Sequence, residues 1–155
     1  MLLNLSDLQV QYRSDVSLLR VQWRAPHQRM TRFQEGMNAV VYLLELGVVH
    51  TAILDLHYLP NISLDDQYWL ATNWLPRISV PALQQVGVVL PSSNLYNQLV
   101  VESLIHISRH FMHYDIQFFG AAAEALDWSV GSQQPDLQLA LESEWAAYTP
   151  GPLPH

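Results

Sequence analysis

The chain has no cysteine, which removes disulfides, zinc-thiolate sites and thiol nucleophiles. It has no lysine either, so its 7 basic residues, histidines aside, are all arginines, and they are scattered along the sequence. Only 14% of the residues are charged and the net charge is −7. Phosphate-backbone binding needs a concentrated positive field, so nucleic acid is not an expected partner, and an anionic membrane surface is disfavoured on the same ground. No apolar run approaches the roughly 20 residues that span a bilayer. Met1 to Val10 has no basic segment leading into an apolar one, and a cytoplasmic location is the expectation. The patterns GxGxxG, GxxxxGK and GxSxG are absent, so dinucleotide sites, phosphate loops and the serine-hydrolase elbow lack support. The expectation is a non-enzymatic protein without a cofactor.

What is present is apolar material sufficient for a core. The composition is 50% hydrophobic over 155 residues, far from the signature of disorder and the right length for one domain. Gln9 to Arg13 alternates, Ser14-Asp15 marks a turn, and Val16 to Trp23 is rich in β-branched and apolar residues, which predicts an opening β-hairpin. After Ala25-Pro26 the period changes. From about Arg29, residues Met30, Phe33, Met37, Val40, Val41 and Leu44 recur at helical spacing until Gly47.

Thr51 to Leu56 reads as a buried strand ended by Pro60-Asn61. Ser63 stands as the N-cap of a second helix with Asp65 and Asp66 in its first turn. Leu64, Tyr68, Ala71, Trp74, Leu75 and Ile78 form its expected buried stripe, and Pro76 kinks or ends it. Val86 to Leu90 is a further strand, followed by a helix from Asn94 to Phe111 capped by Ser92 or Ser93. Tyr114 to Phe119 alternates as a strand, Gly120 turns the chain, and Ala121 to Trp128 is a short helix. The order ββαβαβαβα predicts an α/β fold with a mixed, largely parallel sheet. Residues 1–130 form the domain and 131–155 an extension, read as a docked helix from Asp136 to Tyr148 and then a loose tail.

This arrangement resembles the anti-sigma-factor antagonist family, the STAS or SpoIIAA-like domains, over about Leu8 to Val130. It looks most like a bacterial SpoIIAA-like subgroup. The resemblance is carried by Trp23, Phe33, Gly36, Leu54-Asp55, Trp69, Trp74, Pro76, Val88 to Leu90 and Ala125-Leu126-Asp127-Trp128. It implies a regulatory domain that meets a protein partner through the loop Tyr58 to Asp66. In such antagonists a serine at the start of the second helix is phosphorylated. Ser63-Leu64-Asp65-Asp66 stands at that stretch here, with no hydroxyl at the acceptor position near Leu64 or Asp65. The phosphoswitch is therefore not carried over.

Asp55 and His57 are two apart and point to one side of a strand, at the end where ligands of parallel sheets bind. Either they set up a carboxylate-imidazole pair or a small-metabolite crevice, or Asp55 caps loop amides and His57 is a solvated strand end. With Asn61, Ser63, Asp65 and Asp66 they make the candidate partner or ligand site. Glu102, His106, His110 and His113 share one side of the long helix, a spacing that suits either a divalent metal or the negative end of the helix dipole; no metal site is assigned. Leu95 and Leu99 extend that arc, either as an interface for a second copy of the chain or beneath the C-terminal segment, while Val100, Leu104, Ile107 and Phe111 are expected to be buried. The tryptophans read as core.

Overall fold

A computed structural model describes residues 2–5, 8–24, 33–131 and 134–147. Its strands are β1 (Leu2–Leu5), β2 (Leu8–Arg13), β3 (Leu18–Trp23), β4 (Thr51–Asp55), β5 (Gln85–Val89) and β6 (Asp115–Phe119). They form one sheet in sequential order β1-β2-β3-β4-β5-β6. The first three pair antiparallel and β3 to β6 pair parallel. The mixed, mostly parallel α/β sheet is thus as the sequence predicts, with an unforeseen strand, β1, paired outside the hairpin. The hairpin's second strand begins at Leu18 and not at Val16. The turn before it spans Ser14 to Ser17, where Ser17 holds a positive φ of 51°. The carbonyl of Ser17 accepts from the amides of His50 and Thr51, joining the turn to the entry of β4.

Three helical connections join the parallel strands: α1 (Phe33–Glu45), then α2 (Leu64–Trp69) running through a π-helical turn at Leu70–Trp74 into α3 (Leu75–Arg77), and α4 (Leu95–Ser108). A sheet that grows in one direction through crossovers of one hand must lay these helices on one face. That face carries Leu8, Val10, Leu19, Val21, Trp23, Ala52, Val86 and Val88, and these pack with Phe33, Met37, Val40, Val41, Trp74, Leu75 and Leu104 in one core. Phe33 stacks on Trp23, and the Trp74 indole donates to the carbonyl of Met37 at 2.8 Å. Gly36 allows this approach, because a Cβ there would lie 3.1 Å from the Trp23 ring. Gly47, at φ +76°, ends α1 as expected. The expected start of that helix at Arg29 and Met30 falls outside the described residues.

The second helix departs from its predicted stripe. Leu64 and Tyr68 are exposed, while Leu70, Trp74, Leu75 and Ile78 are buried. A π turn inserts extra rotation into the helix, so the residues before Leu70 and those after it do not share one face. The helix after β5 is capped by Asn94, whose side chain accepts from the Asn97 amide at 3.0 Å, and not by Ser92 or Ser93. It gives way to a 3-10 turn at Arg109–Phe111; its buried stripe runs through Asn97, Leu104 and Ser108, which leaves Ile107 off the stripe and exposed, contrary to its expected burial.

The opposite face is covered by α5 (Ala122–Leu126), which continues into a π-helical turn to Gly131, and by α6 (Pro135–Ala147). Gly87 faces this layer, where its Cα side is bordered by Phe119, Trp128 and Ala125. The apolar cluster on this side is smaller: Leu18, Ile53, Val89, Ala125, Leu126 and Leu141. Within the C-terminal extension the helix is α6, Pro135–Ala147, and the tail expected beyond it lies outside the described residues. No described helix is long and apolar enough to cross a membrane.

Candidate functional site

The carboxyl end of β4 opens into the segment that the sequence singles out. Asp55 is buried and ends the strand, and His57 lies beyond it in an exposed turn. The Asp55 carboxylate accepts from the backbone amide of His57 at 3.0 Å and from the Gln22 side chain at 3.1 Å. It therefore caps a loop amide, as the structural alternative had it. The His57 ring instead packs edge-on against Tyr58, so the expected same-side strand pair does not form. Neither residue lines any of the cavities described below.

Past Tyr58 the chain is pinned from α4 by one side chain. Asn97 is fully buried; its oxygen accepts from the Ile62 amide at 3.0 Å, and its nitrogen donates to the carbonyls of Leu59 at 3.2 Å and Pro60 at 3.0 Å. An asparagine supplies an acceptor and two donors from one planar group, which is what a loop with one amide and two carbonyls turned inward requires. Tyr96 and Gln67 both donate to the carbonyl of Ile62, and Gln67 also donates to the Tyr96 hydroxyl. Ser63 caps α2 by accepting from the Asp66 amide at 3.2 Å, and the Asp66 carboxylate accepts from Gln34. Asn61, Ser63 and Asp65 are left exposed on this fixed loop, beside the partly exposed Asp66.

Around them lies an apolar surface. Tyr58, Leu64 and Tyr68 are 58, 79 and 73% exposed, and Leu95, Tyr96 and Leu99 are exposed at the start of α4. Tyr96 ties the start of α4 to the loop at Ile62 and to α2 at Gln67, while Leu99 lies on the side of α4 that faces Phe118. The C-terminal helix lies on the other face of the sheet, so it does not cover Leu95 and Leu99. Sequence reasoning missed Asn97 because one asparagine in a helical pattern carries no signal of a loop that precedes it by more than thirty residues.

The histidine stripe is not gathered. Among the described residues no group of three or more His, Asp or Glu side chains is placed to hold a metal ion. The 3-10 turn takes His110 out of the helical arc, where its Nδ1 lies 3.1 Å from the carbonyl of Ile107. His113 lies beyond the turn, against Tyr114. A shallow groove between α4 and β6 is lined by Leu99, Glu102, His106, Arg109 and Phe118.

Two further features were not singled out by the sequence. Beneath α2 and α4 is an apolar cavity of about 70 Å³ bordered by Leu59, Ile62, Leu70, Val86, Val101 and Tyr114, among others. On the opposite face, beneath α6, is a cluster of polar side chains. Gln9, Gln11 and Arg20 are buried there on neighbouring strands. The Arg20 guanidinium lies 3.8 Å from the Trp145 ring centroid and 3.6 Å from a Glu142 oxygen. Gln11 donates to the carbonyl of Leu141 and to Glu144. Burial lowers the Arg20 pKa, with Glu142 and Asp55 opposing that shift.

No protein-family model matches the chain, and no curated protein or solved structure matches it.

Proposed function

We propose that the chain is a non-enzymatic regulatory or protein-interaction domain of the SpoIIAA-like type, engaging a protein partner through the loop Tyr58 to Asp66 and the adjoining turns of α2 and α4. The observation that carries this reading is an exposed apolar set, Tyr58 and Leu64 with Tyr68 on α2 and Leu95 at the start of α4, around a loop whose inward polar groups are bonded by Asn97. Large exposed apolar residues rimmed by polar ones mark interaction surfaces, and a fixed backbone lowers the entropy lost on binding. Asp65 and Asp66 favour a partner with basic groups beside its apolar contact. The order of elements supports the family part of the reading. Ser63, engaged as a cap, fits a domain that works without the phosphoswitch.

The test is capture from native lysate with the intact chain, with Leu64→Asp plus Tyr68→Asp, and with Tyr42→Asp, an exposed residue on α1. A specific protein retained by the intact chain and by Tyr42→Asp, and lost from the double variant, is expected. Retention by all three would overturn the loop as the contact. A second reading, a small-ligand domain, rests on a different place from the crevice expected around Asp55 and His57: the apolar cavity beneath α2 and α4 suits a small apolar guest and offers an anionic metabolite no charge partner. A thermal shift with apolar compounds and not with anionic ones is its signature.

A further inference from the structure

The sheet face beneath α6 is built unlike a permanent core. Among the described residues, six buried side-chain polar atoms lack a hydrogen-bond partner, and four of them lie here: Gln11 Oε1, Arg20 Nε, Arg20 Nη1 and Glu142 Oε1. Buried polar atoms in settled interiors are nearly always paired, so this concentration marks a contact that is not optimised. From α6 itself only Leu141 is buried, and Leu139 is 67% exposed. Lifting the helix would return Arg20, Gln11 and Glu142 to water and would uncover Leu141 and the partly buried Leu137. What holds α6 is chemically specific: an aromatic ring on a guanidinium, two glutamates toward arginines, the Gln11 amide on Leu141 and Glu144, and the leucines Leu137 and Leu141. Arg13, at the end of β2, feels Glu144 as well as its partner Asp15.

We infer that this arginine-centred face is a docking surface for an acidic helix with an aromatic and a leucine anchor, that α6 is its resident occupant, and that a partner helix of the same chemistry displaces it. The charge complementarity is local and runs against the net charge of −7: the floor presents Arg13 and Arg20, and the occupant presents Glu142 and Glu144 with Leu141 and Trp145 one turn apart. A competing helix needs a leucine, a tryptophan four residues on, and two glutamates between them. This surface lies on the other face of the sheet from the helices that carry the loop contact proposed above, and it stands or falls separately.

Native-state hydrogen exchange on the full chain tests the displaceability of α6. Its amides are expected to exchange through a local opening at least about 100-fold faster than those of β3 and β4; exchange at the same rate as the sheet would overturn the inference. A labelled peptide of the Pro135–Ala147 sequence tests the surface. It is expected to bind the Glu142→Lys chain about tenfold more tightly than the unaltered chain, since weakening the resident frees the site. Trp145→Ala releases the helix without added charge and serves if the lysine variant does not fold. No peptide binding to a folded, released variant would overturn the proposal, as would binding that survives Arg20→Gln.

Discussion

The two faces of the sheet are made by alternate residues of the same strands and obey different rules. On β3, Leu19, Val21 and Trp23 enter the core beneath α1 to α4, while Leu18, Arg20 and Gln22 alternate with them to face the other way. On β2 the same alternation separates Leu8 and Val10 from Gln9 and Gln11, all four buried. One face is closed by three helices and stabilised by apolar burial. The other is closed by a short helix and a C-terminal one over a floor that is half polar. A side chain's environment is therefore set here by parity along the strand and by which helices arrive later, and burial alone does not distinguish the two cases.

The sharpest way to break this comparison is to exchange chemistry at neighbouring positions. Val21→Gln loses an apolar side chain from the core and buries an amide without partners, and is expected to cost about 3–5 kcal/mol. Arg20→Met with Glu142→Gln, one residue along, removes a buried charge and its poorly placed partner. Replacing buried ion pairs by apolar groups of similar size is often neutral or stabilising, so the double variant should stay within about 1 kcal/mol of the parent or exceed it. Urea unfolding of both proteins measures the contrast, and similar losses in the two would erase the distinction between the faces.

The apolar side also tolerates a buried polar group when every atom of it is used. Asn97→Ala leaves the Ile62 amide and the Leu59 and Pro60 carbonyls without their partner, and the expected cost is about 2–3 kcal/mol. Asn97→Asp keeps the acceptor for Ile62 and loses both donations, so it should also destabilise and should loosen the loop. Loop amide exchange and partner capture would fall together if the rigid loop is what the partner reads.

How much of this was legible follows the reach of each signal. The alternation of β2, the run of β4, the cap at Ser63 and the stop at Gly47 are local patterns, and the sequence carries them openly. The phase of the second helix was not legible, because nothing in Leu70 to Trp74 announces a π turn, and an ideal 3.6 period assigned Leu64 and Tyr68 to the interior. β1 is four residues with little alternation, and its pairing supplies the evidence that it is a strand. Spacing makes a pair of Asp55 and His57, but the strand stops between them and a backbone amide takes the carboxylate. Arg20 carries no local signal for a related reason: the residues that explain it, Glu142 and Trp145, lie more than a hundred positions away.

Tyr114 refines the rule on the apolar face. Burial pushes its phenol up to about 12 from 10.0, with the nearby Ser79 hydroxyl acting the other way; even so, the Tyr114 hydroxyl has no hydrogen bond of ordinary geometry among the described residues. Between these two pKa values the unfolded chain releases the proton and the folded chain keeps it. Stability is then complete below pH 10 and falls as pH rises through the folded value. Allowing for partial solvent screening, the loss should be on the order of 1–2 kcal/mol by pH 12. Tyr114→Phe should abolish that slope and change stability little at neutral pH, because it removes a hydroxyl with no well-made bond to lose.

The smallest effect tests whether the apolar face is itself fully packed. Val86 lies on β5, is buried, and borders the cavity of about 70 Å³. Val86→Ile adds one methylene, which contributes about 0.8 kcal/mol when it enters existing space and costs about 1–3 kcal/mol when it must force its neighbours apart. The cavity is larger than a methylene and Ile keeps the β-branching that a strand favours, so the expected result is a gain of about 0.5–1 kcal/mol, read as a small rise in the urea midpoint at unchanged slope. A loss would mean that the free volume lies out of reach of the Val86 side chain, and Val101→Ile, approaching from α4, would then locate it. A gain from either substitution would also shrink the space open to an apolar guest, so a compound that shifts the melting temperature of the parent and not of the filled variant would assign that guest to this cavity.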